Sequence, residues 1–117
     1  MDIIASNLDY LSGVFKVLSD PTRLKLFGIL LSGVHCNCEL GTKTGLSNNL
    51  ISHHMRVLTD AGLIHSARRP DDARWIFYSV NHEKLDQVQQ VFNVFINPEQ
   101  IPDREPVCPP CKKTKKS

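Results

Sequence analysis

The four cysteines of this 117-residue chain fall as two close pairs, Cys36-Asn37-Cys38 and Cys108-Pro109-Pro110-Cys111. Thiolates are soft ligands, so such pairs point to a soft metal ion or to disulfide chemistry. Neither pair suffices alone. Residues i and i+2 stand about 200° apart on a regular helix, so Cys36 and Cys38 can share an ion only where the helix has not begun or is distorted. With Cys108 and Cys111 added, three thiolates suit a pyramidal trivalent metalloid, and four suit tetrahedral zinc, cadmium or lead. The chain from Ile96 to Cys108, at roughly 3.3–3.6 Å per extended residue, can bring the second pair to Cys36 of its own or a second copy. The plain alternatives are two small apolar fillers for Cys36 and Cys38, and a redox pair or a frayed tail end for Cys108 and Cys111.

A second set of residues could do different chemistry. Asn48, Asn49, Ser52, His53 and Arg56 fall at offsets that share one face of a helix, a stripe with no carboxylate in it. Asn and Arg can hydrogen-bond base edges in pairs, and short hydroxyls can reach phosphates. An ordinary solvated helix face is the bland reading. The opposite face carries Leu46, Leu50, Ile51, Val57, Leu58 and Ala61, expected to be buried. Ser47 is placed to cap the helix and Gly62 to stop it.

The elements that must hold these two sets follow from period and punctuation. Ile4, Leu8, Leu11, Phe15 and Leu18 step by four and three, a narrow stripe that packs along another helix. Asp20-Pro21 opens a second helix to about Ser32, with Leu24, Phe27, Leu30 and Leu31 inward. A short third helix begins near Cys36 and ends before Gly45, with Leu40 inward. Followed at once by the polar-striped helix, it fits a helix-turn-helix. Residues 64–68 and 74–80 then read as strands joined by a turn over 69–73. Arg68, Arg69 and Arg74 surround the tip of this hairpin, which is placed to lie as a wing along a phosphate backbone. A plain soluble hairpin is the alternative. Asn81 caps a last helix, 82–96, whose apolar set is too broad for one small core and predicts burial against a second copy. From Asn97 the prolines forbid regular structure, leaving an arm rich in proline and lysine. The division is therefore a domain at 1–96 and an arm at 97–117.

Composition narrows the class. Four of the fourteen basic residues are Lys112, Lys113, Lys115 and Lys116, leaving ten against twelve acidic over 1–111. Any contact with DNA must come from local placement rather than general charge. No apolar run is long enough to span a bilayer, and the N-terminus has no basic region followed by an apolar core. A cytoplasmic protein without a membrane partner is expected, where cysteines stay reduced. No nucleophile–base constellation, phosphate-binding glycine loop or paired-histidine zinc motif occurs, so an enzyme is not expected. His53 is expected to face DNA and His54 to be half-buried. His35 reads as a solvated loop residue, with ligation as the alternative, and Trp75 as packing in the wing or core.

Four stretches in order carry a resemblance. They are Leu18-Ser19-Asp20-Pro21-Thr22-Arg23-Leu24, Cys36-Asn37-Cys38-Glu39-Leu40, Ser52-His53-His54-Met55-Arg56-Val57-Leu58 with Ala61-Gly62-Leu63, and Arg74-Trp75-Ile76-Phe77-Tyr78-Ser79. Together, over residues 8 to 96, they resemble the ArsR family of metal-sensing repressors. The resemblance implies a mainly α fold with a β-hairpin wing, a winged helix-turn-helix paired as a homodimer through its first and last helices. It also implies binding to double-stranded operator DNA and release by an inducer. Arsenite or antimonite, As(III) or Sb(III), is the favoured inducer, with Cd(II), Pb(II) or Zn(II) permitted by the count of four cysteines. A thiol-redox or persulfide sensor of the same fold is the alternative. The chain departs from the family where a third cysteine often follows the pair, since Leu40, Gly41 and Thr42 stand there. For the family's carboxylate–histidine site on the last helix it offers only His82, Glu83 and Asp86, bunched at one end.

Overall fold

A computed structural model describes residues 2–109. The elements in order are α1 (Asp2–Leu18), α2 (Pro21–Leu30), β1 (His35–Cys36), α3 (Asn37–Thr44), α4 (Asn48–Asp60), β2 (Ile64–Arg69), β3 (Asp72–Val80) and α5 (His82–Phe95), with a 3-10 turn at Pro98–Gln100. The fold is the expected one, mainly helical with a hairpin wing. Two elements were not expected, β1 and the 3-10 turn. β1, only two residues long, pairs antiparallel with β3, His35 opposite Tyr78 and Cys36 opposite Phe77, giving a sheet ordered β1-β3-β2.

Caps set the boundaries. Asp20 accepts from the Arg23 amide at 3.0 Å, with Pro21 opening α2. That hydrogen bond holds the Asp20 carboxyl below its ordinary range. Ser47 accepts from the Leu50 amide at 3.2 Å at the start of α4, and Asn81 from the Lys84 amide at 3.2 Å at the start of α5. Gly45 and Gly62 follow α3 and α4 with φ of 74° and 78°, left-handed values that a Cβ would oppose.

The core joins α2, α3, α4 and the sheet through Leu26, Phe27, Leu30, Leu40, Ile51, Met55, Leu58, Leu63, Ile64 and Tyr78. Its inward faces differ in part from the expected ones. In α2, Leu26 is buried while Leu24 and Leu31 are exposed, because a residue two positions from Leu26 is turned about 200° away. In α4, His54 and Met55 are buried and Leu50 is exposed, so the inward face is rotated toward Met55. In α1, Leu11 and Val14 are buried but Leu8 and Phe15 are not. The side chain of Ile4 lies outside the described residues. No residue of α5 is fully buried; Leu85 and Val88 pack partly on the core, while Phe92, Val94, Phe95 and Ile96 are exposed. The edge-on contact of Phe15 with Phe92, centroids 6.2 Å apart, joins α1 to α5. Proline did not exclude a 3-10 turn at Pro98, where its missing amide is not needed.

Candidate nucleic-acid interface and thiol pair

The stripe on α4 is wholly exposed: Ser47, Asn48, Asn49, Ser52, His53 and Arg56. Ser47 is partly committed, since its hydroxyl caps the helix. Beside the stripe, a concavity of about 220 Å³ between α4 and the wing has Ser52, Arg56, Ser66 and Arg68 on its walls. Asp60 also lines it, a carboxylate just past the end of the polar stripe.

Arg68, Arg69 and Arg74 are exposed on the wing. The hairpin turn is tighter than expected, confined to Pro70-Asp71 between Arg69 and Asp72, which face each other across it. Two of the arginines hold carboxylates. Arg69 Nε donates to Asp71 at 2.7 Å, and Arg74 meets both oxygens of Asp72 at 3.0 and 2.7 Å. Arg74 pulls the Asp72 carboxyl below its ordinary range. Arg68 donates to the Ala73 carbonyl at 2.7 Å. A tip that reads as three arginines thus carries two neutralising carboxylates. These exposed pairs are weak and leave the guanidiniums exchangeable.

The first thiol pair straddles the boundary of α3. Cys36 is the N-cap, with extended φ of −90° and ψ of 164°, and Cys38 lies in the first turn. Cys36 is half-buried and Cys38 exposed. The Cys36 amide donates to Glu39 Oε1 at 2.9 Å, which lowers the Glu39 carboxyl. Between the thiols, Asn37 Oδ1 accepts from the Cys38 amide at 3.0 Å and from the Ile76 amide at 3.4 Å. Its Nδ2 donates to the Arg74 carbonyl at 3.1 Å. Sequence reasoning passed over Asn37; its only signal was a cross-bonding amide where a small apolar residue would serve.

His35 is buried, not a solvated loop residue. Its Nδ1 lies 2.8 Å from the Gly33 carbonyl and its Nε2 3.1 Å from Lys43 Nζ. With both ring nitrogens engaged, ligation by His35 would first have to displace Lys43. His54 is also buried rather than half-buried, and its Nδ1 has no hydrogen-bond partner among the described residues. Trp75 is half-buried, sharing a cleft of about 440 Å³ with Asn37, Cys38 and Arg74. Cys108 is exposed on the arm, and Cys111 lies outside the described residues. Among the described residues, no group of three or more His, Cys, Asp or Glu side chains is placed to hold a metal ion. No helix among them is long and apolar enough to cross a membrane.

Residues 20–66 match the model of bacterial regulatory proteins of the arsR family. The chain is 36% identical over 84 residues to an arsenical resistance operon repressor of Staphylococcus xylosus, covering 72% of this chain and 78% of that one. It is 32% identical over 88 residues to a homolog of the cadmium resistance regulatory protein CadC of Staphylococcus aureus, covering 74% and 70%. Among solved structures, a possible transcriptional regulator for arsenical resistance superposes with a TM-score of 0.59 at 33% identity, covering 69% of this chain and 81% of that one.

Proposed function

Because this chain belongs to the arsR family of bacterial regulatory proteins, we propose that it is a homodimeric repressor released from operator DNA by a soft metal or metalloid ion. α4 enters the major groove, with Asn48, Asn49, Ser52, His53 and Arg56 toward the bases and Ser47 at the backbone. Arg68, Arg69 and Arg74 follow the phosphates, exchanging Asp71 and Asp72 for DNA. The subunits pair through α1 and α5, whose Leu8, Phe15, Phe92 and Phe95 are left exposed in the single chain. Cys36 and Cys38 begin the inducer site, and Cys108 and Cys111 complete it.

The observation that carries the inducer reading is the backbone at Cys36. An extended N-cap before a helical Cys38 is the arrangement in which thiols at i and i+2 can turn to one ion. Relatives named for resistance to arsenicals and cadmium favour As(III) or Sb(III), with Cd(II) and Pb(II) next. The test is a titration of the operator complex, under full reduction, with arsenite, antimonite, cadmium, lead and zinc. One of these is expected to release DNA as sulfur-to-metal absorption grows. Release only after an oxidant or a polysulfide is added would replace this reading with a thiol-redox sensor.

A further inference from the structure

The residue between the two thiols is also the residue that fastens them to the wing. Asn37 grips β3 on both sides of Trp75, giving a hydrogen bond to the Arg74 carbonyl and taking one from the Ile76 amide. One residue earlier, Cys36 pairs with Phe77, so Asn37 continues the β1–β3 ladder with its side chain where the backbone has turned into α3. The same Oδ1 accepts from the Cys38 amide. We propose that Asn37 is a positioning residue through which ion capture by Cys36 and Cys38 is transmitted to the wing. The proposal rests on the metal-responsive reading above and adds the route by which it acts.

When both thiolates bind one ion, the chelate ring closes through the backbone of Asn37, since that residue alone separates them. Sulfurs at about 2.3 Å from a common metal constrain the torsions on both sides of it. Turning the Asn37–Cys38 peptide re-aims the amide that Oδ1 holds, and the carboxamide moves with it. The alternative route, tilting α3 as a body against α4, must unseat Leu40 and Ile51, both fully buried. Breaking two hydrogen bonds at a half-buried side chain costs less than opening that packing. The wing strand released is the one that carries Arg74.

Trp75 lies between the two grips and is the chain's single tryptophan, so it reports the event directly. The experiment uses the reduced full-length protein, cadmium chloride or sodium arsenite, and three readouts: sulfur-to-metal absorption, Trp75 emission and operator affinity. In the native protein, emission is expected to shift in step with absorption. In Asn37→Ala, the ion-free protein is expected to start with the shifted emission. Absorption should still develop, but with little further change at Trp75 and roughly tenfold less ion-driven loss of operator affinity. Asn37→Asp, which keeps an acceptor for the Cys38 amide but sets a carboxylate against the Arg74 carbonyl, is expected to behave the same way. If both variants keep the native Trp75 response and release, the route does not pass through Asn37. If the native protein gains absorption without a change at Trp75, this inference fails while the metal reading stands. If no absorption develops, both fall.

Discussion

Arg56 and His54 sit two positions apart on α4 and face opposite ways, and the two faces set different expectations. Arg56 is exposed beside the wing, with no ion pair among the described residues. Arg56→Ala is expected to weaken operator binding by about 1–3 kcal/mol and to leave the oligomeric state unchanged. Equal operator affinity in a normally folded variant would remove α4 from the groove. His54 is buried, and burial lowers its pKa below the ordinary 6.5, with Arg23 and His53 adding to the effect and the Asp20 carboxylate opposing it. The unfolded chain therefore takes up a proton near pH 6.5 that the folded chain refuses. Stability from this site is full above that pH and declines as pH falls below it. Denaturant midpoints should drop between pH 7.5 and 5.5, and His54→Leu should reduce the drop while staying within about 1 kcal/mol of native at pH 7.5. A variant with the same acid sensitivity would show that other groups carry it.

Among the elements, α5 is the one whose sequence and position most need a partner. It is amphipathic, yet no residue on it is fully buried, and Phe95 remains 53% exposed near its end. Exposed phenylalanines at this density, continuous with Phe15 on α1, favour burial against the same surface of a second copy. Phe95→Asp is expected to shift the protein to monomer at micromolar concentration, as read by sedimentation, and to lower operator affinity because two half-sites are no longer joined. A variant that remains dimeric would move the interface elsewhere. On the wing, the hairpin spaces the arginines so that Asp71 and Asp72 neutralise two of them.

At the scale of the whole molecule, the described part of the arm contributes nothing to the core. Residues 101–109 are exposed and without regular structure, and the molecule extends 72 Å along its longest axis against 27 and 22 Å across. Drawing Cys108 to the first thiol pair costs roughly 1–2 kcal/mol per backbone residue fixed. Metal–thiolate bonding exceeds this when few residues are fixed, since structural zinc sites reach about 10–16 kcal/mol. A chain ending at Pro106 is therefore expected to bind operator as the full chain does, while ion-driven release is lost or shifted to much higher ion concentration. Release at an unchanged concentration would show that the arm supplies no ligand.

Much of this was legible in the chain because the governing interactions are local. Asp20, Ser47 and Asn81 cap helices through amides three residues on, and Gly62 adopts a backbone that other residues resist, so boundaries follow from short spans. The wing was readable from its change of period, and the exposed stripe on α4 from its spacing. What only the tertiary structure decided was which way each helix turns and what distant chain meets it. Leu24 and Leu26 have equal apolarity, and packing against α4 and the sheet alone chose Leu26. β1 is too short to have a pattern; it exists because β3 offers a free edge to His35 and Cys36. Asn37 meets β3 across nearly forty residues of sequence, with separations of 37 and 39. Hydrogen bonds of that span are set by how the elements are stacked, and no local rule of spacing encodes them.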